Sequence, residues 1–318
     1  MPASYVHQCV AADAGDQLGL FKDEQLRAAL LAGSEGPDPF FFSLFSLPGQ
    51  RLAPALGSAM HHRRTDDFLV ALANACAGSD VLRAYGCGFF THYGTDTTFH
   101  PFVYAHSRAA DGSYSGTVHC TLEHGLETLH YRRRGHAAGL PLQMGGYARL
   151  TSENKDEIAR ALAQAIGEVF PDEALPYARV RRAFDDAVSL CHLLRSESGK
   201  KYRTLGALLS PVGLDKALHA HMMPAEPPAE DIANDAHRPW SSPWQKEIVR
   251  TDSFSELYTA AVQRAQELVP AALTMMEGKI SEAELRAVTG ANSYDSGIAW
   301  QQTQPAREVI ENSTTENK

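Results

Sequence analysis

The sequence predicts an all-helical globule, and three observations carry that expectation. Apolar residues recur at three- and four-residue spacings through most of the 318 positions, the period that gives a helix one buried face. Strand-like alternation of β-branched residues is scarce, and its best stretch, Ser113-Tyr114-Ser115-Gly116-Thr117-Val118, is short. The chain is 44% hydrophobic and 21% charged, enough apolar material for a large core and too much for wholesale disorder. No internal repeat of roughly 20–50 residues is apparent, so a solenoid is not expected.

Taken in order, the helical spacing runs over 5–14 (Val6, Cys9, Val10), 22–32 (Leu26, Ala29, Leu30) and 65–77 (Phe68, Leu72, Cys76). It continues over 79–100 (Leu82, Tyr85, Phe89), 118–134 (Val118, Leu122, Leu126, Leu129) and 152–169 (Ile158, Leu162, Ala165). Two long segments follow, 173–196 (Val180, Phe184, Ala187, Cys191) and 252–277 (Phe254, Leu257, Ala261, Leu268). A short helix over 281–288 opens on Ser281 with Glu284 three residues on, a capping-box pattern. Punctuation falls at Gly33–Pro39, Pro48-Gly49, the Gly-rich 135–146 and the Pro-rich 224–243. None of these breaks is linker-like. The expectation is one all-helical domain over 1–301, with a metal-binding half at 1–135 and a second half or lid at 136–301. The polar, aperiodic stretch 302–318 reads as a flexible tail.

Charge and composition remove several function classes. Lys+Arg 29 against Asp+Glu 38 leaves a net charge of −9, a poor basis for gripping duplex nucleic acid by its phosphates. The longest run free of Asp, Glu, Lys and Arg is 135–148, too short and too Gly-rich for a transmembrane segment. Met1–His7 lacks a basic leader and an apolar run, so a cytoplasmic protein is expected. Five scattered cysteines without a CxxC read as thiols in a reducing compartment.

Histidine is the informative residue. Of the 14, ten fall in the first 136 residues. The strongest constellation is His92-Tyr-Gly-Thr-Asp96-Thr-Thr-Phe-His100, in which residues four apart share a helix face and drift by about 40° per step. Two imidazoles and a carboxylate then point one way from a largely apolar helix, and buried groups of that kind need partners that a zinc ion supplies. Pro101 disfavours helical geometry at His100, which is therefore expected at the helix end. His119-Cys-Thr-Leu-Glu123 repeats the four-residue spacing, with Glu127 as a candidate to orient a ligating imidazole. His124, His130 and His136 are expected on a solvated face among Arg132, Arg133 and Arg134. Asp38 sits between Pro37 and Pro39 in a stiffened loop, and Phe40–Phe45 after it is either core or an apolar wall beside a site. Adjacent helical residues point about 100° apart, so one of His61 and His62 can join a given metal. His7 stands alone near the N-terminus.

In chain order these residues resemble the zinc-dependent phospholipase C family, well over roughly 1–135 and loosely beyond. The family pattern is an early His, an Asp in a Gly/Pro loop, a His, an HxxxD with a further His, then HxxxE. His7, Asp38, His61 (with His62 the alternative), His92, Asp96, His100, His119 and Glu123 match it in order. The resemblance implies a multi-helical fold of the zinc-dependent phospholipase C and nuclease type holding two or three zinc ions. Asp96 would bridge two metals, and Asp38 would be both ligand and general base. The implied activity is hydrolysis of a phospholipid or small phosphodiester. Alternatives are a single-strand-specific zinc nuclease of the same fold, or an inactive zinc-binding scaffold. Secreted members place a longer spacer between the Asp and the next His than the three residues here. Intracellular relatives share the short spacer and a phrase like His100-Pro101-Phe102. Secreted members also bind zinc through an N-terminal tryptophan, whose place a Pro2 amine would have to take. No lipid-binding β-sandwich is visible, and Trp240 with Trp244 faintly resembles a rim over the site.

Overall fold

Every segment with helical periodicity forms a helix, and several of the N-terminal boundaries carry a side-chain cap. The structure is a computed structural model and describes residues 4–43, 53–212 and 214–303. Among these, fourteen α-helices account for the architecture: α1 Ser4–Gln17, α2 Glu24–Gly33, α3 Pro39–Phe42, α4 Ala53–His62, α5 Thr65–Ala75, α6 Asp80–His106 and α7 Gly116–Arg133. The rest are α8 Gly145–Arg149, α9 Ser152–Val169, α10 Tyr177–Leu194, α11 Lys200–Leu209, α12 Asp215–Ala220, α13 Phe254–Met276 and α14 Glu282–Thr289. Ser79 caps α6 at the Leu82 amide and Ser115 caps α7 at the Val118 amide, each worth about 1 kcal/mol. Ser281 with Glu284 forms the expected capping box, and Ser253 with Glu256 forms another at the start of α13. Among the described residues only isolated bridges occur, such as Arg108 with Tyr114. The 113–118 stretch is no strand, because α7 already begins at Gly116.

The central element is α6. It is buried from Tyr85 to Tyr104 apart from Thr97 and Thr98, and α2 and α13 are its principal neighbours, with α1, α7 and α9 also against it. The α2–α6 crossing is a backbone contact. A Cβ on Gly33 would lie 1.9 Å from the Tyr85 oxygen, and one on Gly88 would lie 2.0 Å from the Leu30 oxygen. Glycine at both positions therefore sets how closely the end of α2 approaches α6. The larger core joins Phe68, Phe89 and Phe184 from α5, α6 and α10 with Phe170, which follows α9, while Phe99, Phe102, Trp240 and Phe254 form a second cluster beside α13.

One expectation about a helix end needs correction, and one helix was absent from the periodic segments. The helix expected to stop near His100 runs through Pro101 to His106. Packing of Phe99, Phe102 and Val103 in the second cluster outweighs the one backbone hydrogen bond that proline removes. His100 is thus the next turn of the same helix, not its frayed end. The helix α4, bearing His61 and His62, lay hidden in a Pro- and Gly-containing stretch. Residues 304–318, most of the expected tail, lie outside the described residues, as does Pro2.

Candidate metal centre

Five segments bring the eight sequence-selected residues together. His7 comes from α1, Asp38 from the turn between α2 and α3, and His61 from the last turn of α4. Successive turns of α6 carry His92, Asp96 and His100, and the first two turns of α7 carry His119 and Glu123. All eight side chains are buried. Their donor atoms form three groups whose members lie within 4.8 Å of one another: His7, His92 and Asp96; Asp38, His61 and His92; His100, His119 and Glu123.

Asp96 lies at the junction. Its Oδ1 is 3.2 Å from His7 Nε2, while its Oδ2 is 3.0 Å from His92 Nε2 and 3.6 Å from His61 Nε2. Asp38 Oδ1 is 3.4 Å from His61 Nε2. In the third group Glu123 Oε1 is 2.9 Å from His119 Nε2 and 3.5 Å from His100 Nε2. Zinc bonds to nitrogen and oxygen of about 2.0–2.1 Å imply an edge of about 3.3–3.4 Å in a tetrahedron of ligands. The observed separations bracket that edge.

Hydrogen bonding makes the same point. Both ring nitrogens of His7, both oxygens of Asp38 and Asp96, and Nε2 of His61, His92 and His100 are buried and make no geometrically sound hydrogen bond among the described residues. Buried polar atoms normally find a partner, so a concentration of exceptions at one place is a cation site by its chemistry. Three imidazoles are turned by backbone carbonyls. His61 Nδ1 donates to Gly57 O at 2.7 Å, His92 Nδ1 to Ser34 O at 3.0 Å, and His100 Nδ1 to Tyr294 O at 3.0 Å. Each bond fixes the tautomer and leaves Nε2 as the lone pair facing the carboxylates, the arrangement that ligating histidines adopt. The residues present fit zinc.

Electrostatics point to carboxylates held ionised. Burial alone would raise Asp96, but the imidazoles of His92 and His100 hold it well below the usual carboxylate range. Glu123 is likewise held down by His119 against its burial. Burial opposes a charge on His100, yet Asp96 and Glu123 raise it to about 9. His7 goes the other way, lowered by burial and by the neighbouring His92 ring stacked at 4.3 Å.

The loop that carries Asp38 is shaped around His92. Gly36 has φ +52°, and a Cβ there would lie 2.2 Å from His92 Cδ2, so the backbone lies directly on the imidazole. Only glycine fits that conformation and that gap without strain. Phe40 enters the core, and Phe41 packs its ring 5.3 Å from His61, so the phenylalanine run supplies both core and wall. Leu44 and Phe45 lie outside the described residues. A cleft of about 380 Å³ lined by Phe41, His61, His100, Tyr104, Tyr114 and His119 opens on the second and third groups, through His61 and through His100 with His119. A larger cavity of about 570 Å³, lined by Phe102, Val118 and Leu122 among others, contains none of the eight.

Other expectations are corrected. His62 is not in the cluster: its Nδ1 lies 2.5 Å from Asp295 Oδ2, because neighbouring helical residues diverge and only His61 points inward. Glu127 orients no ligating imidazole. It accepts from the Tyr5 amide at the start of α1 and from His124 and Gln143, so it anchors the helix that carries His7. His130 is buried among Tyr5, Phe254 and Tyr258, where α7 meets α1 and α13, whereas His136 is exposed and His124 half-buried. Trp240 belongs to the second core cluster, and Trp244 meets the edge of Tyr104, itself 4.7 Å from His119. Sequence reasoning missed Asp295, Tyr294 and Tyr104, as well as the carbonyls of Ser34 and Gly57. Only the Gly-Pro character of 33–39 signalled a shaped loop.

A family model described as zinc dependent phospholipase C matches residues 6–174. That span includes all eight metal-site candidates. No curated protein and no solved structure matches the chain.

Proposed function

The chain belongs to the zinc-dependent phospholipase C family, whose model spans more than half of it, and on that premise we propose that it is a phosphodiester hydrolase working with two or three zinc ions. The observation that supports this most strongly is the convergence of five imidazoles and three carboxylates, from five separate segments, into three neighbouring donor groups, two of which share His92. Zinc, when bound, lowers the pKa of a coordinated water to about 7 and offsets negative charge on the phosphoryl oxygens.

In this reading His61, His92, His100 and His119 present neutral nitrogens to the metals, and His7 completes the group that shares Asp96. Asp96 Oδ1 faces His7 while its Oδ2 faces both His92 and His61, so its carboxylate would be shared between the ions of the first two groups. Asp38 acts as ligand and general base. Its Oδ1 faces His61, leaving Oδ2 to take the proton of the attacking water. Glu123 adds negative charge to the His100–His119 pair. The walls of the cleft, Phe41, Tyr104 and Tyr114, exclude bulk water and pack the organic part of the substrate.

The substrate in this reading is a phospholipid or another small phosphodiester. The net charge of −9 disfavours a long polyanion. Among the described residues no helix is long and apolar enough to cross a membrane. The test is turnover of phosphatidylcholine vesicles, bis-p-nitrophenyl phosphate and single-stranded DNA by zinc-loaded protein. Hydrolysis of the first two, abolished by chelator and restored by zinc, is expected. Cleavage of DNA alone would move the reading to a nuclease, and zinc binding without any hydrolysis would move it to a scaffold.

A further inference from the structure

We propose that the C-terminal strap, residues 290–303, is a working part of the metal centre, and that Asp295 is the positioning residue for the ion held by His100, His119 and Glu123. The inference rests on the zinc-hydrolase reading above and concerns residues beyond the span matched by the family model.

The strap crosses the site and grips it by backbone. Ser293 Oγ and the Tyr294 amide both donate to His61 O, at 3.2 and 3.0 Å, while Tyr294 O accepts from His100 Nδ1. The Tyr294 ring packs 5.3 Å from His61 and 5.7 Å from His92. Outside the site the strap is tied down by Trp300 Nε1 donating to Asp66 Oδ1 at 3.0 Å, and by the Asn292 amide donating to the Tyr93 hydroxyl at 3.1 Å. Gly297 lies against the Thr97 carbonyl of α6.

Asp295 is carried into this seat as a buried carboxylate. Its Oδ1 accepts from the Tyr104 hydroxyl at 2.9 Å and lies 3.8 Å from His100 Nδ1. Its Oδ2 meets His62 Nδ1 at the edge of the cleft. Tyr104 in turn packs against the rings of His119 and His100, at 4.7 and 5.5 Å. One carboxylate therefore places a negative charge beside His100, strengthening it as a donor, and fixes the tyrosine that walls both imidazoles of the third group. Such outer partners typically change metal affinity about 10- to 100-fold. Among the described residues Asp295 itself makes no such contact with the other two groups, whose His61 and His92 are turned by Gly57 O and Ser34 O and are packed by the loop at Gly36 and the Tyr294 ring. Asp295 should thus act on one ion and spare the rest.

The test is stepwise zinc titration against a competing chelator, with cobalt absorption spectra as a second readout. Asp295→Asn is expected to weaken a single binding step by about 10- to 100-fold, to alter the spectrum of one cobalt ion, and to leave the remaining steps unchanged. Asp295→Glu should recover part of that loss. Trp300→Phe, which frees the strap from Asp66 without touching the site, should weaken the same step less. If Asp295→Asn binds every ion as the unmodified protein does, the inference is overturned. If that variant does not fold, wild-type zinc binding by Trp300→Phe overturns it instead. Absence of zinc binding by the unmodified protein would remove the hydrolase reading itself, together with this inference.

Discussion

Replacing Gly36 with alanine tests the fit between the Asp38 loop and His92. Two effects follow from the coordinates, and they can be separated. An L residue held at φ +52° costs roughly 1–2 kcal/mol of stability. The added Cβ would also meet His92 Cδ2 at 2.2 Å, and ordinary contact begins at 3.4 Å, so ring and loop must part by about 1.2 Å. Within a donor group whose members are about 3 Å apart, that displacement removes His92 from both groups it serves. A misplacement of about 1 Å at a reacting centre costs on the order of 100-fold in rate. Gly19→Ala is the control, with a similar φ of +70° and nothing within 4 Å of the new methyl. In thermal unfolding both variants should lose the backbone cost of the positive φ, and Gly36→Ala should lose more, because the clash with His92 adds to it. Only Gly36→Ala should lose zinc in equilibrium dialysis and turnover of bis-p-nitrophenyl phosphate. Equal zinc content and equal turnover in the two variants would refute the reasoning.

The remaining predictions concern the carboxylates, the metal and one buried histidine. Asp38→Asn should keep much of the zinc while turnover falls by about 100- to 10,000-fold, the usual reach of a general base, and undiminished turnover would take Asp38 out of the mechanism. Chelation should lower the thermal midpoint and zinc should restore it, because the ions offset the burial of Asp38 and Asp96; each ion held at 1,000 times its dissociation constant adds about 4.1 kcal/mol. Burial and the nearby Arg134 lower His130 to about 4 from an ordinary 6.5. The unfolded chain therefore binds more protons in that window, and stability should be full above pH 6.5 and fall as pH drops toward 4, by about 3 kcal/mol at most. Denaturant unfolding of His130→Phe over the same range should show a flatter profile by that amount.

Much of the site was legible because its donors obey helical arithmetic. His92, Asp96 and His100, like His119 and Glu123, are four apart and so share a face whatever the tertiary structure. Their burial followed from the apolar residues around them. The order of His7, Asp38 and His61 in the chain supplied the rest. What could not be read falls into two kinds. Backbone carbonyls such as those of Ser34, Gly57 and Tyr294 orient imidazoles without any residue-type signature. Asp295 sits in Ala291-Asn-Ser-Tyr-Asp-Ser-Gly297, which reads locally as a turn, and its value comes from a contact with Tyr104 across 191 residues. The end of α6 was misread because proline's local cost was weighed without the aromatic packing that outweighs it. His130 was misread because flanking arginines suggested water, whereas α1 and α13 close over it.

Diffraction at the zinc absorption edge, on crystals of protein purified without chelator, bears on all of this most directly. Two or three anomalous peaks per chain are expected, each bonded to nitrogens or carboxylate oxygens of the His7–Asp96, Asp38–His61–His92 and His100–His119–Glu123 groups. Crystals without an anomalous peak between α1, α4, α6 and α7 would contradict the account.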